Sequence, residues 1–347
     1  MRVGILTFHH AFNYGAFLQA EGLLGCLCNL GHKAEIVDYR NPALEATHER
    51  CIRYGWHPLH KLAGYRRRAR FIDDLKDLKP GPLAHDPVSI DWSRYDALVY
   101  GSDEIWNYLS HVHRFDPVFF GGGAPASMKR IAYAPSLGEL DWPQRQVPAE
   151  IPDLLSAYQD IAVRDTNAAQ FVEKTTGHVP PIVVDPVFLH HRSELQTPRE
   201  TRTPFVLVYG EIRDRAMAQA CRDWSKRLGC NTVSVGYRNP WCDRMVLDAG
   251  PHDFLGWLAE ARAVLTTTFH GTMFSIKFQK PFVTLRPPTA RKKFDPIIQQ
   301  LELGERIVAT SDELTTLAPE IVWDQPGKIL AQRTDESIGF LRNALSS

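Results

Sequence analysis

The stretch "AVLTTTFHGTMFSIKFQKPFVTL", residues 263–285, contains the pattern from which the fold follows. A short apolar run, "AVLTT", precedes a longer segment, "GTMFSIKFQ", and a second short apolar run, "PFVTL", comes after it. Short continuous apolar runs are typical of strands in a parallel sheet that is covered on both faces. The stretch therefore predicts a strand, a helix and another strand, with His270 at the start of the helix.

The same alternation runs through most of the 347 residues. Further strands are predicted at "VGILTF", "AEIVDY", "ALVYG", "PIVVD", "PFVLVYG" and "NTVSVGY". Helices are predicted between several of them, for example at "GAFLQAEGLLGCLCNLG" and "DRAMAQACRDWSKRLG". Alternating strands and helices are typical of α/β proteins with doubly wound parallel sheets.

The chain is longer than one hydrophobic core usually grows, which predicts two domains. The polar, proline-containing stretch "HHRSELQTPRETRTP" separates two series of strands and helices and is a plausible linker. We expect two Rossmann-like βαβ domains that face each other across a cleft, at residues 1–195 and 203–325. We expect residues 328–347 to form a helix that packs back across both domains.

The composition excludes several classes of protein. Forty Lys and Arg residues balance forty Asp and Glu residues, so the charge gives no indication of a nucleic-acid partner. The six cysteines and the histidines do not have zinc-ligand spacing, so no metal site is expected. The N-terminus enters a strand at once, and no apolar run approaches the ~18 residues of a membrane helix, which favours a cytoplasmic location.

A basic segment departs from the alternation at about residues 50–80, where "HKLAGYRRRARFIDDLKDLK" is predicted to be helical. One interpretation is a patch that binds an anionic acceptor or lipid headgroups at the inner face of a membrane. The other is a solvated helix that lies over its domain.

Candidate site residues of the first half follow the predicted strands, because ligands of open parallel sheets bind beyond the carboxyl ends of the strands. Asn13 and Gly15 open a helix whose N–H groups can hold an anion, although a turn and a helix start explain them equally. Arg164 binds a carboxylate or phosphate, or it pairs with a neighbouring acid. Asp103 is placed to cap a helix with Trp106 and Asn107 in its first turn. The candidates are Asn13, Tyr14, Gly15, Ser102, Asp103, Trp106, Asn107, Ser136 and Arg164.

Candidates of the second half are Arg213, His270, Gly271, Arg286 and Lys292. A helix dipole disfavours an imidazolium at the helix N-terminus unless an anion lies beside it. His270 is therefore either a packed residue at a strand end or a proton donor next to a bound anion.

Taken in order, several segments resemble the polysaccharide pyruvyl transferase family. They are "GILTFHHAFNYGAFLQAEGL", "GHKAEIVDYR", "YDALVYGSDEIWN", "KRIAYAPSLG", "DIAVRDTNA", "VVDPVFL" and "DFLGWLAEARAVLTTTFHGTMFSIKFQKPF". They span about residues 2–285. The match depends most on Asn13-Tyr14-Gly15, Gly101-Ser102-Asp103, Trp106-Asn107 and His270-Gly271.

The resemblance implies a fold like that of GT-B glycosyltransferases. It also implies transfer of pyruvate from phosphoenolpyruvate to two hydroxyls of a sugar, which forms a cyclic ketal. The implied acceptors are bacterial surface glycans or their lipid-linked precursors, and phosphoenolpyruvate is a co-substrate, with no cofactor or metal required. The family's catalytic histidine corresponds to His270, which we expect to act as a general acid, with Asp103 accepting a proton from an acceptor hydroxyl.

One position departs from the family pattern, because many members carry Arg-Leu where this chain has Thr268-Phe269. Another cation must then hold the donor, or the donor differs. The alternatives are a glycosyltransferase that uses a nucleotide sugar, with Glu302 or Glu305 on the ribose, and a non-catalytic glycan-binding relative.

Overall fold

A computed structural model describes residues 1–43, 45, 58–112, 114–189, 203–286 and 295–346. These residues form two parallel sheets, one in each half of the chain, with α-helices between most of the successive strands. The α/β fold with two Rossmann-like domains is therefore confirmed.

The first sheet has the strand order β2-β1-β3-β4-β5. Its strands are β1 (Arg2–Leu6), β2 (Lys33–Ile36), β3 (Ala97–Tyr100), β4 (Lys129–Tyr133) and β5 (Asp160–Ala162). The helices of this half are α1 (Tyr14–Asn29), α2 (Pro58–Asp74), α3 (Ile151–Ser156) and α4 (Thr166–Thr176). The strand order reverses beside β1, so the loop that follows β1 lies at a switch point of the sheet.

The second sheet has the strand order β11-β10-β9-β6-β7-β8. Its strands are β6 (Phe205–Tyr209), β7 (Asn231–Val235), β8 (Arg244–Val246), β9 (Ala263–Thr266), β10 (Phe282–Leu285) and β11 (Ile307–Val308). The helices are α5 (Arg215–Arg227), α6 (Pro251–Glu260), α7 (Phe269–Lys277), α8 (Asp295–Gln300) and α9 (Ser311–Thr316). β9, α7 and β10 are the strand, helix and strand predicted for residues 263–285.

The last helix, α10 (Asp324–Ser346), returns to the first half of the chain. Ser337 accepts a hydrogen bond from the backbone of Val184 at 3.0 Å, and Arg333 donates to the carbonyl of Ile182 at 2.6 Å. Leu341 is fully buried in a cluster of apolar side chains drawn from both sheets. The two domains therefore share a continuous apolar core.

Two local predictions were wrong. "PIVVD" is not a strand of the sheet, since it pairs only through a single bridge between Ile182 and Val163. No helix follows β3 within residues 101–112; the chain makes turns there, so Asp103 is not a helix cap. Most of the proposed linker, residues 190–202, lies outside the described residues, and so do the first residues of the basic segment.

Candidate active site

The loops that follow β1 and β9 meet between the two domains. A methyl group built on Gly15, in the first turn of α1, would overlap the imidazole ring of His270, in the first turn of α7. Only a residue without a side chain allows this approach, which explains a glycine at this position. Two segments about 250 residues apart in sequence are thereby brought into direct contact.

Hydroxyl groups at the end of β9 fix the position of His270. Thr266 donates to the carbonyl of Tyr209 at 2.6 Å and accepts from the backbone N–H of Thr268 at 3.0 Å. Thr268 caps α7, because its hydroxyl accepts from the N–H of Gly271 at 3.0 Å. These bonds place His270 in the first turn of the helix, where the free N–H groups favour an anion.

A buried carboxylate lies beside the histidine. Oδ2 of Asp185 is 3.7 Å from Nε2 of His270 and accepts a hydrogen bond of 2.7 Å from Arg164. Burial raises the pKa of Asp185, but His270 and Arg164 outweigh it and hold that pKa well below its usual range. Asp185 is therefore an anion that is held between two nitrogen groups.

The other nitrogen group beside Asp185 is Arg164, whose guanidinium lies over the ring of Phe269 at 4.2 Å. Burial lowers the pKa of Arg164, but Asp185 and Asp103 outweigh burial and raise it. An arginine from the first domain thus stacks on the residue that precedes His270. The sequence alternative in which Arg164 pairs with a nearby acid is what the structure shows.

The imidazole of His270 keeps one polar atom unsatisfied. Its side chain is 9% exposed, and Nε2 has no hydrogen-bond partner within the described part of the chain. Buried polar atoms are usually satisfied, so a free one at a cleft indicates a ligand or a catalytic role.

The side chains of four predicted site residues are buried and form hydrogen bonds within the protein. Ser102 is fully buried and donates to the carbonyl of Ala134 at 2.8 Å. Trp106 is fully buried and donates to the carbonyl of Phe119 at 3.1 Å. These contacts hold the loop after β3 against the sheet.

Ser136 and Tyr14 are occupied in the same way. Ser136 is fully buried and donates to Asp165 at 2.5 Å. Tyr14 is fully buried, stacks on Phe254 at 4.8 Å and donates to the carbonyl of Ala249 at 2.9 Å, so it joins the two domains.

The remaining residues of the first half lie at loop surfaces. Asn13 is exposed and caps α1 by accepting from the N–H of Gly15 at 2.9 Å. Asp103 is half-buried in a left-handed conformation with φ of 70°, and it accepts from the N–H of Glu104 at 2.8 Å. Asn107 is half-buried in the turns that follow.

A recess of about 430 Å³ opens at the carboxyl edge of the second sheet. It is lined by Arg213, Thr267 and Arg286 among others, so two predicted cations converge there. Arg286 approaches Glu139 of the first domain at 3.7 Å, which places the recess beside the domain boundary. Lys292 lies outside the described residues.

Sequence reasoning missed Asp185. Its segment, "VVDPVFL", was among those that resembled the family, but Asp-Pro before an apolar run is a common turn start, and Asp185 does cap the short helical turn Pro186–Phe188. Among the described residues, no group of three or more His, Cys, Asp or Glu side chains could hold a metal ion.

The family model described as "Polysaccharide pyruvyl transferase" matches residues 13–287, which include Gly15, Asp185 and His270. The chain belongs to the polysaccharide pyruvyl transferase family. Membership assigns the chain to the transferases and indicates a sugar or glycan as its class of acceptor. No curated protein sequence matches the chain.

Solved structures similar to this chain include UDP-GlcNAc 2-epimerase from Neisseria meningitidis bound to UDP-GlcNAc. The two sequences are 9% identical, the TM-score is 0.53, and the alignment covers 99% of each chain. S. aureus MnaA with UDP has 13% identity and a TM-score of 0.51 over 97% of this chain and 90% of the other. A Listeria monocytogenes protein described as a UDP-N-acetylglucosamine 2-epimerase has 11% identity and a TM-score of 0.50 over 98% and 90%. Identities this low show the fold alone.

Proposed function

We propose that this pyruvyl transferase moves pyruvate from phosphoenolpyruvate to two hydroxyls of one sugar in a bacterial surface glycan or its precursor, forming a cyclic ketal. The observation that carries the proposal is the unsatisfied Nε2 of His270, which lies beside the anionic Asp185 at a helix N-terminus between the domains.

His270 supplies the proton in this reaction. The imidazolium protonates the methylene carbon of phosphoenolpyruvate, and the carbon that bears the phosphate becomes an oxocarbenium-like centre. One sugar hydroxyl adds to that centre and loses its proton. The bond from carbon to the phosphate oxygen then breaks and inorganic phosphate leaves. The second hydroxyl adds to the same carbon, gives its proton to the departing phosphate and closes the ring. The balance is one phosphoenolpyruvate and one diol to one ketal and one phosphate.

Asp185 positions the acid. Its carboxylate offsets the helix dipole and the burial that both disfavour an imidazolium, so the histidine can carry its proton to the donor. Asp103, at the carboxyl end of β3, accepts the proton of the attacking hydroxyl in this scheme.

The donor carries a carboxylate and a phosphate and needs several cations. Arg213 and Arg286 line the recess beside the domain boundary, and the N–H groups of α7 add donors. Arg164 compensates for the arginine that many family members carry before the histidine, since its guanidinium lies on Phe269. Lys292 is a further candidate cation.

The second candidate function is glycosyl transfer or another reaction of a nucleotide sugar, which the fold and the UDP-bound neighbours favour. The predicted ribose ligands do not support it. Glu302 and Glu305 precede β11, so they lie at the amino edge of the second sheet, away from the recess. Glu211 lines the recess but pairs with Arg213 at 2.7 Å.

A third candidate, a glycan-binding relative without catalysis, would bind acceptor and release no phosphate.

The test measures phosphate released from phosphoenolpyruvate in the presence of sugar acceptors, with the ketal identified by mass spectrometry. His270→Gln should lower the rate about 10²–10⁴-fold, because general acid catalysis contributes about that much. The matched control is His178→Gln, which changes an exposed histidine and should leave the rate unchanged. Full activity of a folded His270→Gln protein would refute the assignment.

A further inference from the structure

Helix α2 is fixed across the domain boundary by its inward face. Arg67 is 8% exposed and donates to the carbonyls of Gly236 at 2.9 Å and Phe12 at 3.1 Å. Arg70 pairs with Asp253 at 2.5 Å. The basic segment therefore does not lie over one domain only. Arg67 is buried on its inward face, and Arg70, whose side chain is 38% exposed, is paired with Asp253.

The opposite face of α2 carries an apolar stripe, made of Leu62, Tyr65, Ala69 and Ile72. The intervals of three, four and three residues place these side chains along one line of an α-helix, turned away from Arg67. Leu62 is 45% exposed, Tyr65 is 72% exposed and Ile72 is 42% exposed. An exposed apolar stripe on a rigidly held helix indicates an interaction surface.

Basic side chains flank the stripe on both sides. Lys61 and Arg68 are exposed along one flank, and Arg66 is exposed along the other. Asp73, near the end of the Arg66 flank, is paired with Lys76 at 2.6 Å, so it adds little net negative charge there. This arrangement matches the surface of a bilayer. The apolar side chains can enter the layer of lipid tails, the aromatic ring can lie at the interface, and the basic side chains can contact anionic headgroups.

We propose that the α2 stripe binds the surface of a bilayer that contains anionic lipids. Among the described residues no helix is long and apolar enough to span a membrane, so the contact is peripheral. Arg67 on the inward face of α2 touches the loop after β1, three residues before Gly15, so a bilayer bound to the outer face would lie one helix diameter, ~10 Å, from that loop. Resting on the proposed function, this arrangement assigns a lipid-linked glycan as the acceptor.

The test is co-sedimentation of the full chain with phosphatidylcholine vesicles and with vesicles that also contain phosphatidylglycerol. We expect binding to the anionic vesicles only, weakened by salt. Tyr65→Ser/Ile72→Ser should abolish it, and Arg66→Ala should weaken it about fivefold, the effect of one basic side chain near such a surface. The matched control is Val179→Ser/Val322→Ser, which removes two exposed valines far from α2 in sequence and should bind normally.

The outcomes separate this proposal from the proposed function. Binding is read without substrate, so it stands even if phosphoenolpyruvate is not the donor. Equal binding to both vesicle types, or normal binding by the stripe variant, would overturn the proposal. Self-association that the same substitution disperses, measured by light scattering, would instead assign the stripe to a second copy of the chain. The lipid-linked acceptor is supported if the stripe variant keeps its rate on a water-soluble acceptor and loses it on a vesicle-bound one.

Discussion

At the scale of single residues, the candidate chemistry depends on three groups from separate parts of the chain: His270, Asp185 and Arg164. Asp185 is the centre of this cluster because its Oδ2 lies close to both Nε2 of His270 and the guanidinium of Arg164. Removing its charge should therefore affect both the proton donor and the buried ion pair.

Asp185→Asn should lower the rate of phosphate release, because it removes the carboxylate that lies beside Nε2 of His270. It should also lower the free energy of unfolding by about 3–5 kcal/mol, because Arg164 is left buried and unpaired. Asp153→Asn, at an exposed position of α3, is the control. A folded Asp185→Asn protein that releases phosphate at the wild-type rate would assign Asp185 to stability alone.

Gly15→Ala should lower activity about 10²-fold by displacing the imidazole of His270, since small misplacements of a catalytic group cost about this much. Gly25→Ala lies in the same helix with no atom within 4 Å of the new methyl, and it should stabilise the protein by up to about 1 kcal/mol. Kinetics and thermal unfolding of both variants check this. Equal activity of the two would show that His270 moves aside without consequence.

Three of the four residues at this site were candidates in the sequence analysis, and Asp185 was not. Gly15, Arg164 and His270 were singled out by their positions after predicted strands, and the resemblance then implied a catalytic role for His270. Asp185 was missed because a carboxylate before proline has an ordinary role as a turn cap, which it also fulfils here.

At the scale of elements, α2 and α6 hold the domains together through charges as well as packing. His252 of α6 contacts Glu21 at 2.8 Å, Asp74 at 3.5 Å and Asp77 at 4.0 Å, all from the first domain. Burial lowers the pKa of His252, but Asp74 and Glu21 outweigh it and raise that pKa to about 10.

This shift predicts a pH-dependent contribution to stability. Because the folded-state pKa lies above the unfolded value of about 6.5, the contribution is complete below pH 6.5, declines as the pH rises and is lost above about pH 10. His252→Gln should therefore lower the Tm most at pH 6 and least near pH 10. His178→Gln should lower it at neither. A Tm difference that is constant across this range would contradict the linkage.

The helical nature of α2 followed from its sequence, but its orientation did not. Arginines at adjacent helical positions look alike in a sequence. Arg67 turns inward only because Tyr14, Phe71 and two backbone carbonyls of different domains are arranged around it.

At the scale of the whole molecule, the two domains share one apolar core, and the candidate site lies where their strand ends face each other. A ligand that contacts both domains should stabilise the assembly by mass action. Phosphoenolpyruvate at about 100 times its Kd should add about 2.7 kcal/mol to the free energy of unfolding. Thermal unfolding with phosphoenolpyruvate and with UDP-GlcNAc checks this. Stabilisation by UDP-GlcNAc alone would support the nucleotide-sugar alternative.

The sequence by itself determined the alternation of strands and helices, because the periodicity of apolar residues reports which faces are buried. The family resemblance added the catalytic role of His270 and the reaction class. Only the tertiary structure decided that Gly15 touches His270, that Asp185 joins His270 to Arg164, and that Tyr14 and Trp106 are packed inside. These contacts join segments far apart in the chain, and their geometry depends on how two sheets pack, which no local pattern of residues encodes.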